Sequence, residues 1–165
     1  MTRPPSRQSG TQVVEFAVIL PAIILFSLLA AEGANLFRVY AVVANAAREG
    51  ARVASLAWYS PVAMRQNAQT TCSFTGRSLN STNAVCQDVA NYAQNNGLIG
   101  GGLQQCSTLT VNVNQAYQAA GDSAPHYSQI RVTCAYQLRW LPRLPFYSIS
   151  SALNVTRATA LLNFY

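Results

Sequence analysis

The distribution of apolar and polar residues begins with one long apolar run. Residues 13–31 are apolar apart from Glu15 and Ser27, and Pro21 lies inside the run. Nineteen helical residues rise about 28 Å, which crosses most of a hydrocarbon core of about 30 Å. The run therefore predicts a membrane-spanning helix that Pro21 kinks or locally unwinds.

After a short polar dip at Glu32, the apolar residues recur at spacings of three and four, as on one helix face. The apolar stripe consists of Leu36, Val39, Tyr40, Val43, Ala47, Gly50, Ala51, Ala54 and Trp58. The opposite face carries Arg38, Asn45, Arg48, Glu49, Arg52 and Ser55. Pro61 then stops the pattern. We expect one helix of roughly 45 residues, apolar all round in its first half and amphipathic in its second. Its small residues allow close packing, either on the protein's own sheet or on a neighbouring helix.

The remaining residues predict a small sheet with one further helix. Residues 60–85 are rich in Ser, Thr, Asn and Gln and predict a loop, whereas residues 85–96 fit a helix with Val85, Val89, Tyr92 and Ala93 facing inward. Alternation of period two predicts strands at 109–113, 130–138 and 151–163, with a loop at 114–128. Three antiparallel strands need a covered face, which the helix stripe supplies. The expected fold class is α+β.

A polar leader before the apolar run and one acidic residue inside it indicate a specific kind of targeting signal. The leader, residues 1–10, contains Arg3 and Arg7, has no acidic residue and ends at Gly10. A carboxylate inside a membrane segment costs about 2.5–3.5 kcal/mol on insertion scales, so Glu15 is expected to be functional. This layout is typical of a class III (prepilin) signal, cut after Gly10, with Thr11 as the new first residue and Glu15 as the fifth.

Alternatives to the prepilin signal are an ordinary secretory signal cut near Ala31 and a plain uncleaved anchor. Glu15 would alternatively reach the membrane surface by snorkelling, because it lies only two residues inside the run.

The distribution of charges and the number of cysteines limit the classes of function that the sequence fits. The eleven arginines, with no lysine, give a net charge of +6 but are scattered, so we expect no nucleic acid partner. Four cysteines follow the apolar run and predict two disulfides in a translocated domain: Cys72, Cys86, Cys106 and Cys134. Three pairings are open, and Cys72–Cys86 with Cys106–Cys134 needs the shortest closures. The cysteines and leader favour an extracytoplasmic C-terminal region, although the arginines just after the run do not.

Catalytic chemistry has little support in the sequence. A zinc site is disfavoured because the chain has one histidine and no C-x-x-C motif. No Gly-x-Ser-x-Gly turn accompanies His126, and Asp88 and Asp122 are the only acidic residues outside the long helix. We expect no enzyme, no catalytic or metal residues and no cofactor. An anchored binding module (adhesin), or less favourably an anchored enzyme, is the alternative to a structural subunit.

Two stretches carry a resemblance to a known family. Gln12-Val-Val-Glu15-Phe-Ala-Val-Ile-Leu-Pro21 and Asn45-Ala-Ala-Arg48-Glu49-Gly50-Ala-Arg52 resemble TadE-like minor pilins or pseudopilins of the tight-adherence (Tad, Flp-type) pilus. The resemblance is strong over residues 10–60 and looser in the β-rich remainder.

The resemblance implies a pilin-like fold, cleavage after Gly10 by a prepilin peptidase, and a role of Glu15 in processing or assembly. The positions carried over for helix packing are Arg48, Glu49, Gly50 and Arg52. Implied partners are the membrane, the peptidase and other pilin subunits, in a structure that serves cell adhesion and biofilm formation. The protein would lie in the bacterial inner membrane as a single-pass protein, or in the extracellular pilus. Its sizeable C-terminal region favours an initiating, tip or priming subunit over the bulk subunit.

The predicted organisation has four segments. Residues 1–10 are the leader, 11–31 the transmembrane half of the helix, 32–59 its amphipathic half, and 60–165 an extracytoplasmic, disulfide-bearing, β-rich domain.

Overall fold

The structure, a computed structural model, describes residues 9–57, 69–76, 81, 83–100, 105–117, 127–138 and 152–162. In chain order the elements are α1 (Ser9–Ala57), β1 (Gln69–Thr75), α2 (Ala84–Asn95), β2 (Cys106–Tyr117), β3 (Tyr127–Gln137) and β4 (Ala152–Leu162). The four strands form one antiparallel sheet in the order β1-β2-β3-β4. A long helix on a small antiparallel sheet confirms the expected α+β class.

Helix α1 is 49 residues long and changes its surroundings at Glu32. It continues through Pro21 as α-helix, so the local unwinding expected there is not seen. Residues 12–31 are exposed except for the half-buried Leu28. From Glu32 onward one face is buried under the rest of the fold, and that face follows the predicted apolar stripe.

The buried face of α1 contains Glu32, Val39, Val43, Ala46, Ala47, Gly50, Ala51, Ala54 and Ser55. Ser55 was predicted on the polar face but is buried, and its hydroxyl is satisfied by a 2.8 Å hydrogen bond that it donates to the carbonyl oxygen of Arg52. Tyr40, predicted in the stripe, lies at its edge and stays partly exposed. Trp58 lies outside the described residues.

The sheet buries one face of its two central strands. Leu109, Val111 and Val113 on β2, and Ile130, Val132, Cys134 and Tyr136 on β3, are buried, as alternation requires. Register places Val132 between Val111 on β2 and Arg157 on β4. The core-side row of β4 therefore includes Leu153, Val155 and Arg157.

Two of the expected loops contain strands. Strand β1 lies inside the predicted 60–85 loop and pairs with β2 over seven residues, from Gln69 with Asn114 to Thr75 with Thr108. The 114–128 loop prediction is also wrong at both ends, because β2 extends to Tyr117 and β3 begins at Tyr127. In these polar stretches, pairing with a neighbouring strand outweighs the weak local pattern.

Helix α2 packs against α1 and against β2, and its ends are specified locally. The Asn83 side chain accepts a 3.1 Å hydrogen bond from the Cys86 backbone N–H and caps the first turn. Gly97, at φ 75°, ends the helix. Val85, Val89 and Ala93 are buried as predicted, and Tyr92 is only half-buried.

Two disulfides join the elements around this core. Cys72 on β1 bonds to Cys86 on α2, and Cys106 on β2 bonds to Cys134 on β3. This is the pairing that the shortest loop closures favour. The first bond ties the edge strand to α2, and the second links the two central strands.

At Gly50, α1 lies close to both α2 and β3. A Cβ atom placed there would lie 2.5 Å from Val89 Cγ2 on α2 and 3.2 Å from Ile130 Cγ2 on β3. Both neighbours are β-branched and fully buried, so neither has a free rotamer to turn into. Gly50 is therefore required by packing. Around Gly33 an added Cβ would meet nothing within 4 Å.

We expect Gly50→Ala to lower the free energy of unfolding and Gly33→Ala to leave it unchanged or raise it. Overpacking costs about 1–3 kcal/mol, against a gain of up to about 1 kcal/mol for alanine over glycine in a helix. Thermal unfolding of both variants in the same detergent measures the difference. Equal melting temperatures for the two variants would contradict the packing role of Gly50.

Candidate functional site

The predicted cleavage site, between Gly10 and Thr11, and Glu15 lie within the first turns of α1. The helix begins at Ser9 and includes Gly10, Thr11 and Glu15 without a break. Glu15 lies four positions after Thr11, so their Cα atoms are about one helical turn, or 6 Å, apart along the axis. They lie on the same side of the helix. Glu15 is exposed, as are the apolar side chains of Val14 and Phe16 beside it.

A second glutamate has opposite surroundings. Glu32 is only 4 % exposed, and the hydroxyl of Tyr136 donates a 2.6 Å hydrogen bond to its Oε1 atom. Tyr136 lies on β3, 104 residues further along the chain, and is itself buried. A buried polar group that loses its partner costs about 1–3 kcal/mol, so this bond specifies how the helix and sheet meet. The bond lies where the exposed half of α1 ends.

Sequence reasoning missed the Glu32–Tyr136 pair. It treated Glu32 as part of a polar dip between two helix halves. The signal was present, because Glu32 precedes Leu36, Val39 and Val43 at spacings of four, three and four, and so lies in their stripe. An acidic residue in register with a buried stripe indicates a buried partner.

The four positions implied for helix packing separate into two groups. Gly50 is buried against α2 and β3, whereas Arg48 is exposed. Glu49 and Arg52 bond to each other, with Arg52 Nη2 2.5 Å from Glu49 Oε1 and Arg52 Nε 3.0 Å from Glu49 Oε2. Hydrogen bonding to the Arg52 guanidinium lowers the pKa of Glu49 from its usual value. Ion pairs this exposed contribute little to stability, so Gly50 is the packing residue of the four.

Other chemistry is sparse in the part of the chain that the structure describes. No group of three or more His, Cys, Asp and Glu residues that could hold a metal ion occurs within those residues. Asp88 is exposed on α2, while Asp122 and His126 lie outside the described residues. All four cysteines are disulfide-bonded.

The long helix suggests the class of protein. One helix of the described residues is long and apolar enough to cross a membrane, and its most apolar window is not buried in the fold. An exposed apolar half that continues into a packed half suggests a membrane anchor with a folded domain attached.

Comparison with known families makes the class more specific. A sequence model of the family described as TadE-like protein matches residues 10–52, which confirms the resemblance. The family is structural and associated with the Tad pilus, and the matched segment contains Glu15, Glu32 and Gly50. No curated protein and no solved structure matches the chain.

We expect Tyr136→Phe to lower the free energy of unfolding by about 1–3 kcal/mol, because it removes a hydroxyl donor from a buried carboxyl group. Tyr40→Phe is the matched control, since it removes a hydroxyl from a partly exposed ring and keeps that ring under Arg157. Chemical denaturation in detergent compares the two variants. Equal stability of both would show that the Tyr136 hydroxyl does not support the junction.

Proposed function

We propose that the protein is a pilin-like subunit that inserts in the membrane and primes, assembles or joins a Tad-type pilus after cleavage following Gly10. The observation that carries the proposal is the unbroken helix α1. It connects the cleavage motif, the exposed apolar half and the packed domain, within the segment that the TadE-like family matches. Its domain would lie outside the cytoplasm, where the two disulfides are stable.

The exposed apolar half of α1 supports the proposed insertion of the helix in a membrane, followed by its assembly with neighbouring helices. Val18 and Phe26 are 73 % and 75 % exposed, and the other apolar side chains of residues 13–29 are also largely uncovered. In a bilayer the lipid chains cover this surface. If the subunit leaves the bilayer, neighbouring helices must cover it, because so large an apolar surface is not stable in water.

Glu15 supplies the polar element of that assembly. Cleavage after Gly10 creates a positively charged amine at Thr11. In the proposed fibre core, this amine pairs with Glu15 of a neighbouring subunit and so sets the register between the two helices. The exposure of Glu15 on an otherwise apolar surface favours such an external partner.

The size of the packed domain supports a specialised position in the assembly. Four strands, a second helix and two disulfides follow α1. A domain of this size is unlike that of the very short major pilin. We therefore favour a priming, initiating or tip subunit with other pilins as partners, and prepilin peptidase as the processing enzyme.

Intact mass of the protein, taken from membranes with and without a prepilin peptidase, tests the processing step. We expect a species that begins at Thr11 only when the peptidase is present. A mass that begins at Met1 under both conditions would overturn the prepilin class and leave an anchored extracytoplasmic domain.

We expect Glu15→Gln to be inserted in the membrane but to co-purify with partner pilins at least tenfold less than the wild type, because 1.4 kcal/mol of lost pairing is a factor of ten. Glu49→Gln is the control, since that carboxyl group lies in the packed half and pairs with Arg52. Undiminished co-purification of Glu15→Gln would exclude the pairing role.

A further inference from the structure

Just beyond the apolar half, α1 and β4 carry an exposed aromatic and cationic surface. Phe37 is 74 % exposed, and its ring stacks on that of Tyr40 with centroids 6.4 Å apart. The guanidinium of Arg157, on β4, lies 4.5 Å above the Tyr40 ring. Arg38 is exposed next to Phe37. We call these four residues the collar. Neither the TadE-like match nor the proposed function assigns them a role.

The height of the collar corresponds to the edge of a membrane. Phe37 follows Ala31 by six residues, or about 9 Å along the helix. Because helical side chains lean toward the N-terminus, its ring covers the turn below its own Cα. With the apolar run in the hydrocarbon, the ring falls in the headgroup zone, which is about 5–7 Å thick on each side. Aromatic residues are enriched at this depth.

The charge of the collar specifies which lipids it fits. Arg38 and Arg157 are exposed cations. Of the acidic residues in the described ranges, Glu15 lies in the apolar half of α1 and Glu32 is buried and hydrogen-bonded to Tyr136. Glu49 is bonded to Arg52 well above the collar, and Asp88 lies on α2. Guanidinium groups bind phosphate oxygens with charge-assisted hydrogen bonds. The surface is thus complementary to negatively charged headgroups.

We propose that the collar is a lipid-docking surface, in which Phe37 inserts among the headgroups and Arg38 and Arg157 bind the phosphates of anionic phospholipids. This rests on the proposed membrane insertion of α1. The Glu32–Tyr136 bond fixes the sheet to the helix below the collar, and the contact of Arg157 with Tyr40 places the arginine of β4 beside that of α1. The docking would hold the folded domain upright on the membrane before assembly.

Photo-crosslinking in lipid nanodiscs tests the docking with the full chain. A p-benzoylphenylalanine replaces Phe37, Phe26 or Asn45 in turn, and lipid adducts are counted by mass spectrometry. Phe26 reports on the inserted half, and Asn45 is an exposed position about 12 Å further along the helix. We expect lipid adducts from positions 26 and 37 and at least tenfold fewer from 45.

Crosslinking at the three positions distinguishes lipid docking by the collar from the proposed membrane insertion of α1. Adducts from 26 but not from 37 would overturn the collar and leave the anchor intact, whereas no lipid adduct from 26 would overturn membrane insertion itself. Protein–protein adducts from 37 in place of lipid adducts would assign the surface to a second subunit and also overturn the docking.

Arginine variants test the choice of lipid. We expect position 37 to crosslink at least threefold more in nanodiscs that contain phosphatidylglycerol than in those of phosphatidylcholine alone. Arg38→Gln combined with Arg157→Gln should remove that preference, while Arg48→Gln, an exposed arginine about 15 Å further from the membrane, should keep it. Equal yields in both lipids for the wild type would overturn the anionic specificity.

Discussion

The close approach of α1 to α2 and β3 is the constraint on which the rest of the structure depends. Around Gly50 the fully buried residues of the helix are mostly alanine and glycine, so much of the volume of the core there comes from the other side, from residues such as Val89 and Ile130. Small residues on one element opposite branched residues on the other give a dense, directional contact. The helix can therefore support the domain along one face while its N-terminal half remains free of it.

The remaining elements are attached to this contact by covalent and polar links. Strand β1 contributes one fully buried large side chain, Phe74, and its disulfide to α2 compensates for that small apolar contribution by restricting the unfolded chain. At the membrane-proximal end, the Tyr136 hydroxyl bonds to Glu32 and fixes the sheet to the helix. The fold thus combines dense packing around Gly50 with one specific hydrogen bond, between Tyr136 and Glu32, at the point where the exposed and packed halves of α1 meet.

The sequence alone predicts the parts of this protein that repeat a strong local pattern. The packed half of α1, the inward face of α2 and the central strands follow from periodicity because each buries one continuous face. Strand β1 could not be recognised, since Gln69–Thr75 is mostly polar and becomes a strand through pairing with β2. The burial of Glu32 is readable from its place in the apolar stripe, but its partner could not be recognised, because Tyr136 lies 104 residues away. For the candidate site, the leader, glycine and Glu15 are readable as a motif, whereas the collar requires the fold that brings Arg157 to Tyr40.

Glu15 and Glu32 show how position along α1 divides its functions. They are 17 residues apart, or about 25 Å along the axis. Glu32 has a hydroxyl donor from the protein's own sheet, so its cost of burial is met within the fold. Glu15 is exposed among apolar side chains, where a membrane offers no equivalent donor. Under the proposed function, cleavage supplies the missing partner as the new amine of another subunit. Under that proposal, one carboxyl group stabilises the folded domain, and the other makes the inserted helix dependent on assembly.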